Sequence, residues 1–176
     1  GNCAIVRSAS TSVLIDAGIS CRETFKRMKS VGDDPHTLTA ILLTHEHSDH
    51  ILGLATLAKK LNIPVFMTAG THQAWQRAMR DDEGRYPQIA KLEIFSAGHC
   101  FRIGDIDVMP FTIPHDAADP VGFTVRAEGV KVAFATDLGY IPLSVRDHLR
   151  GCDVLVMESN HDLEMLRVGP YPWSVK

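Results

Sequence analysis

The segment Thr44-His45-Glu46-His47-Ser48-Asp49-His50 carries three histidines and an aspartate in the six positions from 45 to 50. In an extended stretch, side chains at i and i+2 leave the backbone on the same side. His45 and His47 can therefore hold one ion while Asp49 and His50 aim at a neighbouring position. Imidazole nitrogen suits zinc and related first-row ions, and the carboxylate adds a harder oxygen that also tolerates manganese or iron. The helical signature His-Glu-x-x-His is excluded, because His45-Glu46 would need a histidine at 49, where Asp49 stands. A plainer use, with Ser48 or Asp49 capping a helix and the histidines exposed on a loop, leaves the density of imidazoles unexplained.

The surrounding pattern says what must present this cluster. Ala40-Ile41-Leu42-Leu43 is an unbroken apolar run, as in a strand covered on both faces, and it leads directly into the cluster. Ile51, Leu52, Leu54, Ala55, Leu57 and Leu61 then recur at helical spacing up to Asn62-Ile63-Pro64, which puts the cluster at a helix N-terminus. Upstream, Cys3 to Arg7 and Ser12 to Asp16 read as a hairpin. Ser20-x-x-Glu23 has capping-box spacing for a helix from Cys21 to Ser30 whose surface carries Arg22, Lys26, Arg27 and Lys29. That row reads as a solvated face before it reads as a phosphate-tracking one.

Downstream, Val65 to Met67 predicts a strand, and Thr71 to Met79 a helix with Ala74, Trp75 and Ala78 inward. Strands follow at Leu92 to Phe95, Cys100 to Ile103, Ile106 to Ile113, Phe123 to Ala127 and Val130 to Ala135, with Gly104-Asp105 and Glu128-Gly129 as turns. A helix at Leu143 to Leu149 and a buried strand at Val154 to Met157 complete an α/β pattern of sheets with helices on their outer faces.

Further candidates lie just past strand ends, where open α/β sheets build sites. They are Asp16 in Leu14-Ile15-Asp16-Ala17-Gly18, His115 after Ile113-Pro114, Asp137 after Ala135-Thr136, and Glu158 with His161 in Glu158-Ser159-Asn160-His161. Singly, each also reads as a turn or loop residue. The pairs His115-Asp116 and His161-Asp162 follow strands, so a helical His-Asp phosphohydrolase is set aside. Cys3, Cys21, Cys100 and Cys152 are far apart and beside no evident base; they read as core residues, without a disulfide framework or thiolate knuckle, and suit a reducing, cytoplasmic setting.

The 176 residues, 45% hydrophobic and 22% charged, predict one domain over 1–176. A net charge of -3 supplies no general field for nucleic acid or an anionic membrane, so attraction of a polyanion must be local. No apolar run nears the ~20 residues of a membrane span, and no signal peptide is visible. The start at Gly1-Asn2-Cys3 and the stop at Val175-Lys176 predict a chain cut at both ends.

Asp16, His45-x-His47-x-Asp49-His50, His115 and Asp137, in this order, resemble motifs one to four of the metallo-β-lactamase superfamily. Gly1-Asn2-Cys3, the stretch from Ile113 to Phe123, Ala135-Thr136-Asp137-Leu138-Gly139 and Glu158-Ser159-Asn160-His161-Asp162 look like its YycJ (WalJ/VicX) group. Members of that group are regarded as 5'-to-3' DNA exonucleases related to ribonuclease J and transfer-RNA 3'-processing enzymes. The resemblance implies a four-layer αββα sandwich with two divalent ions, zinc or manganese, with iron as the alternative. His45, His47 and His115 would hold one ion, Asp49 and His50 the other, and Asp137 would bridge them, while Asp16 and Glu158 would orient ligating histidines. The superfamily also uses a late histidine, placed in this group beyond a stretch like Tyr171-Pro172-Trp173. The sequence stops before it, and His161 is either its substitute or a further orienting residue.

The chemistry so implied is hydrolysis of a phosphodiester in nucleic acid, DNA more than RNA, by a hydroxide bridging the metals, with Asp49 orienting it and taking its proton. The same hydroxide could attack an acyl carbon, as in a glyoxalase II-like thioesterase or a lactamase. The missing late ligand leaves a third alternative, a metal-binding module without catalysis. Nothing in the sequence sets the oligomeric state.

Overall fold

Strand β1 (Ala4–Arg7) pairs antiparallel with β2 (Ser12–Ile15), and β3 (Ala40–Leu42), β4 (Val65–Thr68) and β5 (Leu92–Phe95) follow in parallel to complete one five-stranded sheet. The computed structural model, which describes residues 1–158, places a second sheet against it. Its order is β10 (Val154–Met157), β9 (Val130–Ala135), β8 (Val121–Ala127), β7 (Ile106–Thr112) and β6 (Phe101–Ile103), antiparallel except that β10 runs parallel to β9.

Alternation along the strands decides which core each side chain joins. Val13, Ile15, Ala40 and Leu42 face the second sheet and pack with Val108, Phe123, Val125 and Phe134. Leu14, Ile41, Val65 and Met67 face the other way, onto Met28 of α1 (Cys21–Ser30), Leu54 and Leu57 of α3 (Leu54–Leu61) and Trp75 of α4 (Ala69–Ala78). Both faces of β3 are thus covered, which is why its run carries no polar alternation. On the far side, α5 (Leu143–Leu149) sets Val145 against Phe111, Ile113 and Ala135. The layers are helix, sheet, sheet, helix.

Several expectations need correction. The helix read from Ile51 to Leu61 is two pieces, α2 (Ser48–Ile51) and α3, and Leu52 is 68% exposed rather than inward. The break comes from afar: the Gly53 N–H donates to the Ala17 carbonyl at 2.8 Å. A Cβ at Gly53 would stand 2.2 Å from the Ile19 carbonyl oxygen. Spacing of apolar residues carries no trace of such a backbone contact. Ala78 is exposed, and α4 begins at Ala69 because the Thr68 hydroxyl accepts from the Thr71 N–H. Ser20 caps α1 by accepting from the Glu23 N–H, but the Glu23 carboxylate is drawn to Arg27 Nε at 2.9 Å, so the capping box is one-sided. Among the described residues, strand β10 lies at a sheet edge and is exposed, not buried. Among the cysteines only Cys21 is buried, and all four are free thiols.

The topology brings strand ends together. Strands β2 and β3 are parallel, and β7, β9 and β10 all point one way because β8 reverses the chain between β7 and β9. Asp16, His45, His115, Asp137 and Glu158 follow those five strands. A backbone strap fixes the edge: Asn2 N–H donates to the Asp49 carbonyl, Ala17 N–H to that of His50 and Gly18 N–H to that of Asn2, each at 2.8 Å.

At Gly18 the strap leaves no room for a side chain, since a Cβ would lie 1.6 Å from the Asp49 carbonyl oxygen. Gly18→Ala is expected to destabilise the protein by about 2 kcal/mol or more, because backbone must move against backbone. Denaturant unfolding measures this; a change below about 0.5 kcal/mol, the usual range for innocuous surface substitutions, would show the strap to be loose.

Candidate metal centre

Three ring nitrogens meet where the two sheets end. His115 Nε2 lies 3.2 Å from His45 Nε2 and 3.0 Å from His47 Nδ1, although these residues are separated by 70 and 68 positions in the chain. The rings stand edge to face, with centroids 4.6 to 4.8 Å apart. Around a tetrahedral zinc, nitrogens at roughly 2.0–2.1 Å from the ion would be ~3.4 Å from one another, close to the two separations from His115, and all three ligand atoms lie within 4.8 Å of one another. Burial, followed by the mutual repulsion of the neighbouring imidazoles, pushes His45 down to about 3. Burial also lowers His115. His45 and His115 stay neutral at physiological pH, each with a lone pair available for an ion.

A second group adjoins the first and shares His45: His45, His50 and Asp137 bring their ligand atoms within 4.8 Å of one another. His50 Nε2 is 3.0 Å from Asp137 Oδ2, and His50 Nδ1 donates to Asp16 Oδ2 at 2.8 Å. Burial disfavours a charged His50, but the hydrogen bonds to Asp137 and Asp16 outweigh it and push His50 up to about 10. Burial likewise opposes ionisation of Asp137, yet its bond to His50 and the attraction of the imidazoles hold it below the usual carboxylate range.

Asp16 is 2% exposed. Burial raises its carboxyl above the usual carboxylate range, against the opposing pull of His50 and Thr44. We assign the carboxylate, because the Thr44 N–H and the Thr44 hydroxyl both lie within 3.0 Å and the His50 ring adds a third donor. Asp16 and Asp137 both sit at positive φ, 60° and 57°, a turn conformation that aspartate tolerates better than most residues and that swings each side chain off its strand toward the centre.

The residues singled out in the sequence divide as follows. His45, His47, His50, His115 and Asp137 converge. Asp16 lies beneath His50, and Glu158 accepts from the Asp137 N–H at 3.3 Å. Asp49 is adjacent but turned outward, its carboxylate 3.7 Å from His50 Nε2 and 59% exposed, outside both ligand groups. Neither it nor Ser48 caps α2, whose N-cap is His47. His161 and Tyr171-Pro172-Trp173 lie outside the described residues.

Four participants escaped the sequence reading. The Thr44 hydroxyl touches both His45 and His50. Asn2 Nδ2 reaches Asp137 and Glu158 at 3.4 Å. Asp116 lies 3.1 Å from His115 Nδ1, where it orients that ring. Glu46 accepts from the Ala118 N–H at 2.8 Å, tying the histidine turn to the His115 loop. Asp116 and Glu46 stand next to histidines in sequence, a usable signal; Asn2 entered only as part of Gly1-Asn2-Cys3 in the resemblance, and its contacts with Asp137 and Glu158 depend on the strap.

A family model described as a beta-lactamase superfamily domain matches residues 11–173. The chain belongs to the beta-lactamase superfamily. Among curated members it is 39% identical, over 100% of its length and 65% of the relative's, to a Bacillus anthracis protein named exodeoxyribonuclease YycJ. It is 32% identical, over 100% of its length and 64% of the relative's, to a Streptococcus pneumoniae protein named exodeoxyribonuclease WalJ. The chain thus spans about 65% of the length of the curated relatives it matches. In fold the chain is similar to the Zn(2+)-bound PqqB structure from Methylobacterium extorquens, with TM-score 0.74, 19% identity, and coverage of 96% of this chain and 64% of that one. The four-layer metallo-β-lactamase sandwich expected from the motifs is therefore present, and this fold implies divalent metal ions.

Because His50 carries its proton well above neutrality, an ion accepted by His50 Nε2 must displace that proton. Zinc binding at the second group should weaken about tenfold for each pH unit lowered below about 10. Calorimetric titration at pH 7.5 in two buffers of different ionisation enthalpy should report about one proton released with that ion. Heats that do not depend on the buffer would contradict the assignment.

Proposed function

We propose that this chain forms the metal-binding part of a hydrolase that cleaves phosphodiester bonds in nucleic acid, as a 5'-to-3' exonuclease on DNA, with two divalent ions, zinc or manganese. The observation that carries the proposal is the approach of His115 to His45 and His47 across the junction of the sheets, beside the His50–Asp137 pair. Three imidazole nitrogens aimed at one point, from a buried ring and two half-buried ones, cannot all satisfy one another's lone pairs, and an ion supplies what is lacking. The names of the two curated relatives support DNA as substrate. The free thiols support a reducing, cytoplasmic setting. No helix among the described residues is long and apolar enough to cross a membrane.

His45, His47 and His115 would hold one ion, and His50 and Asp137 the other. Divalent ions so held lower the pKa of water and neutralise charge that develops on phosphoryl oxygens. The protein's own part is to fix that geometry and to move a proton. Asp49, beside His50 with an exposed carboxylate outside both ligand groups, would orient the attacking water and accept its proton. Asp116 holds His115 in the Nδ1–H form, which turns Nε2 to the cluster. Glu46 keeps the His115 loop against the histidine turn through Ala118.

Metal analysis of the protein, combined with a panel of 5'-phosphorylated DNA, RNA and thioester substrates, tests the proposal. DNA should be shortened from its 5' end. His115→Ala should lose the first ion and reduce cleavage by more than the roughly 10–100-fold typical for losing an outer hydrogen-bond partner. Full cleavage by the metal-free His115→Ala protein, or turnover of the thioester alone, would overturn it.

A further inference from the structure

The Thr44 side chain is 2% exposed, and its hydroxyl has four polar neighbours. Its Oγ1 is 3.0 Å from Asp16 Oδ1, 2.9 Å from Asp16 Oδ2, 3.0 Å from His45 Nδ1 and 3.2 Å from His50 Nδ1. A hydroxyl has one proton and two lone pairs. The Asp16 carboxylate can only accept, so it takes the hydroxyl proton, and its two oxygens also receive the Thr44 N–H and the His50 Nδ1–H. The hydroxyl then has no proton left to give, and toward a ring nitrogen it can act only as an acceptor. His45 Nδ1 must be the donor. A neutral imidazole protonated at Nδ1 has its lone pair at Nε2, the atom that faces His115 Nε2 at 3.2 Å. The same count places the His50 Nδ1–H between Asp16 and Thr44, leaving Nε2 toward Asp137.

We propose that the Thr44 hydroxyl is a positioning group shared by both ion sites, relaying the acceptor strength of the single buried carboxylate of Asp16 to His45 and His50 so that both rings present Nε2 to the ions. The inference rests on the two-ion reading given above and deepens it. One carboxylate thus serves a histidine of each site, directly for His50 and through one hydroxyl for His45. In the absence of this hydroxyl, His45 Nδ1, on a fully buried ring, has no partner among the described residues. The ring is then free to take the other tautomer, with a proton on Nε2 where the ion would bind.

The test combines an unsubstituted readout with two variants. Long-range 1H–15N correlation spectra of the metal-free protein, labelled at histidine, should show His45 protonated at Nδ1; protonation at Nε2 overturns the proposal without any substitution. Zinc affinities measured against a competing chelator should fall at both sites by about 10–100-fold in Thr44→Val, which keeps the side-chain shape and loses the hydroxyl. Thr44→Ser should restore both to within about threefold of the unsubstituted protein. Undiminished affinity in Thr44→Val, or loss at one site alone, overturns the shared role. If Thr44→Val does not fold, the His45 tautomer and the Thr44→Ser affinities decide. If the unsubstituted protein binds no ion, the proposed function fails, and the His45 tautomer still decides the role of Thr44.

Discussion

Beneath the histidines lies a carboxylate almost shut off from water, and the arrangement of the site depends on it. Removing an ionised group from water costs several kcal/mol unless donors replace the solvent. Asp16 meets that cost with the Thr44 N–H and hydroxyl and the His50 ring, all drawn from the turn that carries the metal-ligating pattern. The requirement works in both directions. The charge needs these donors, and in being satisfied it holds His50 and the Thr44 backbone in one orientation. A second carboxylate, Asp137, faces His50 from the other sheet and carries Glu158 and Asn2 with it. The edge of the sandwich is therefore joined by a polar network, whereas the interior between the sheets is closed by Val13, Leu42, Phe123 and their neighbours.

Such a network can form only if the fold delivers its members to one place. Five strands end on the same side because β2 and β3 run parallel, and because an antiparallel excursion through β8 returns β9 to the direction of β7. The left-handed turns at Asp16 and Asp137 then bend each carboxylate inward. The strap from Asn2 to Asp49 and from Ala17 to His50 holds the short helix α2 against the end of β2, at a separation that tolerates no side chain on Gly18. Rigid placement on strand ends and a helix start is what lets a site keep its ligand geometry.

Much of this was legible in the sequence, for identifiable reasons. Strand runs such as Ala40 to Leu43, the helix from Cys21 to Ser30 and the turn at Glu128-Gly129 are local signals, and they appear in the structure within a residue or two. The histidine turn was readable because its side chains act at short spacing. His115 and Asp137 were readable mainly as positions after strands, and their convergence on His45 and His50 required the topology. What stayed hidden is what depends on contacts between distant backbones. The split between α2 and α3 is set by Ala17 and Ile19, the place of Asn2 by Asp49, and the exposure of β10 by its position at the end of the sheet order. Asp49 shows the limit within the motif itself: spacing grouped it with His50, but its carboxylate points outward.

The central claim is that side chains from both sheets form two adjacent ion sites at this edge, and anomalous diffraction from crystals grown with zinc tests it directly. One peak is expected at the point shared by His45, His47 and His115, and a second beside His50 and Asp137, about 3.5–4 Å from the first as in other two-ion sites. Density for zinc elsewhere on the molecule, with the His45–His47–His115 cluster empty under saturating metal, would contradict it.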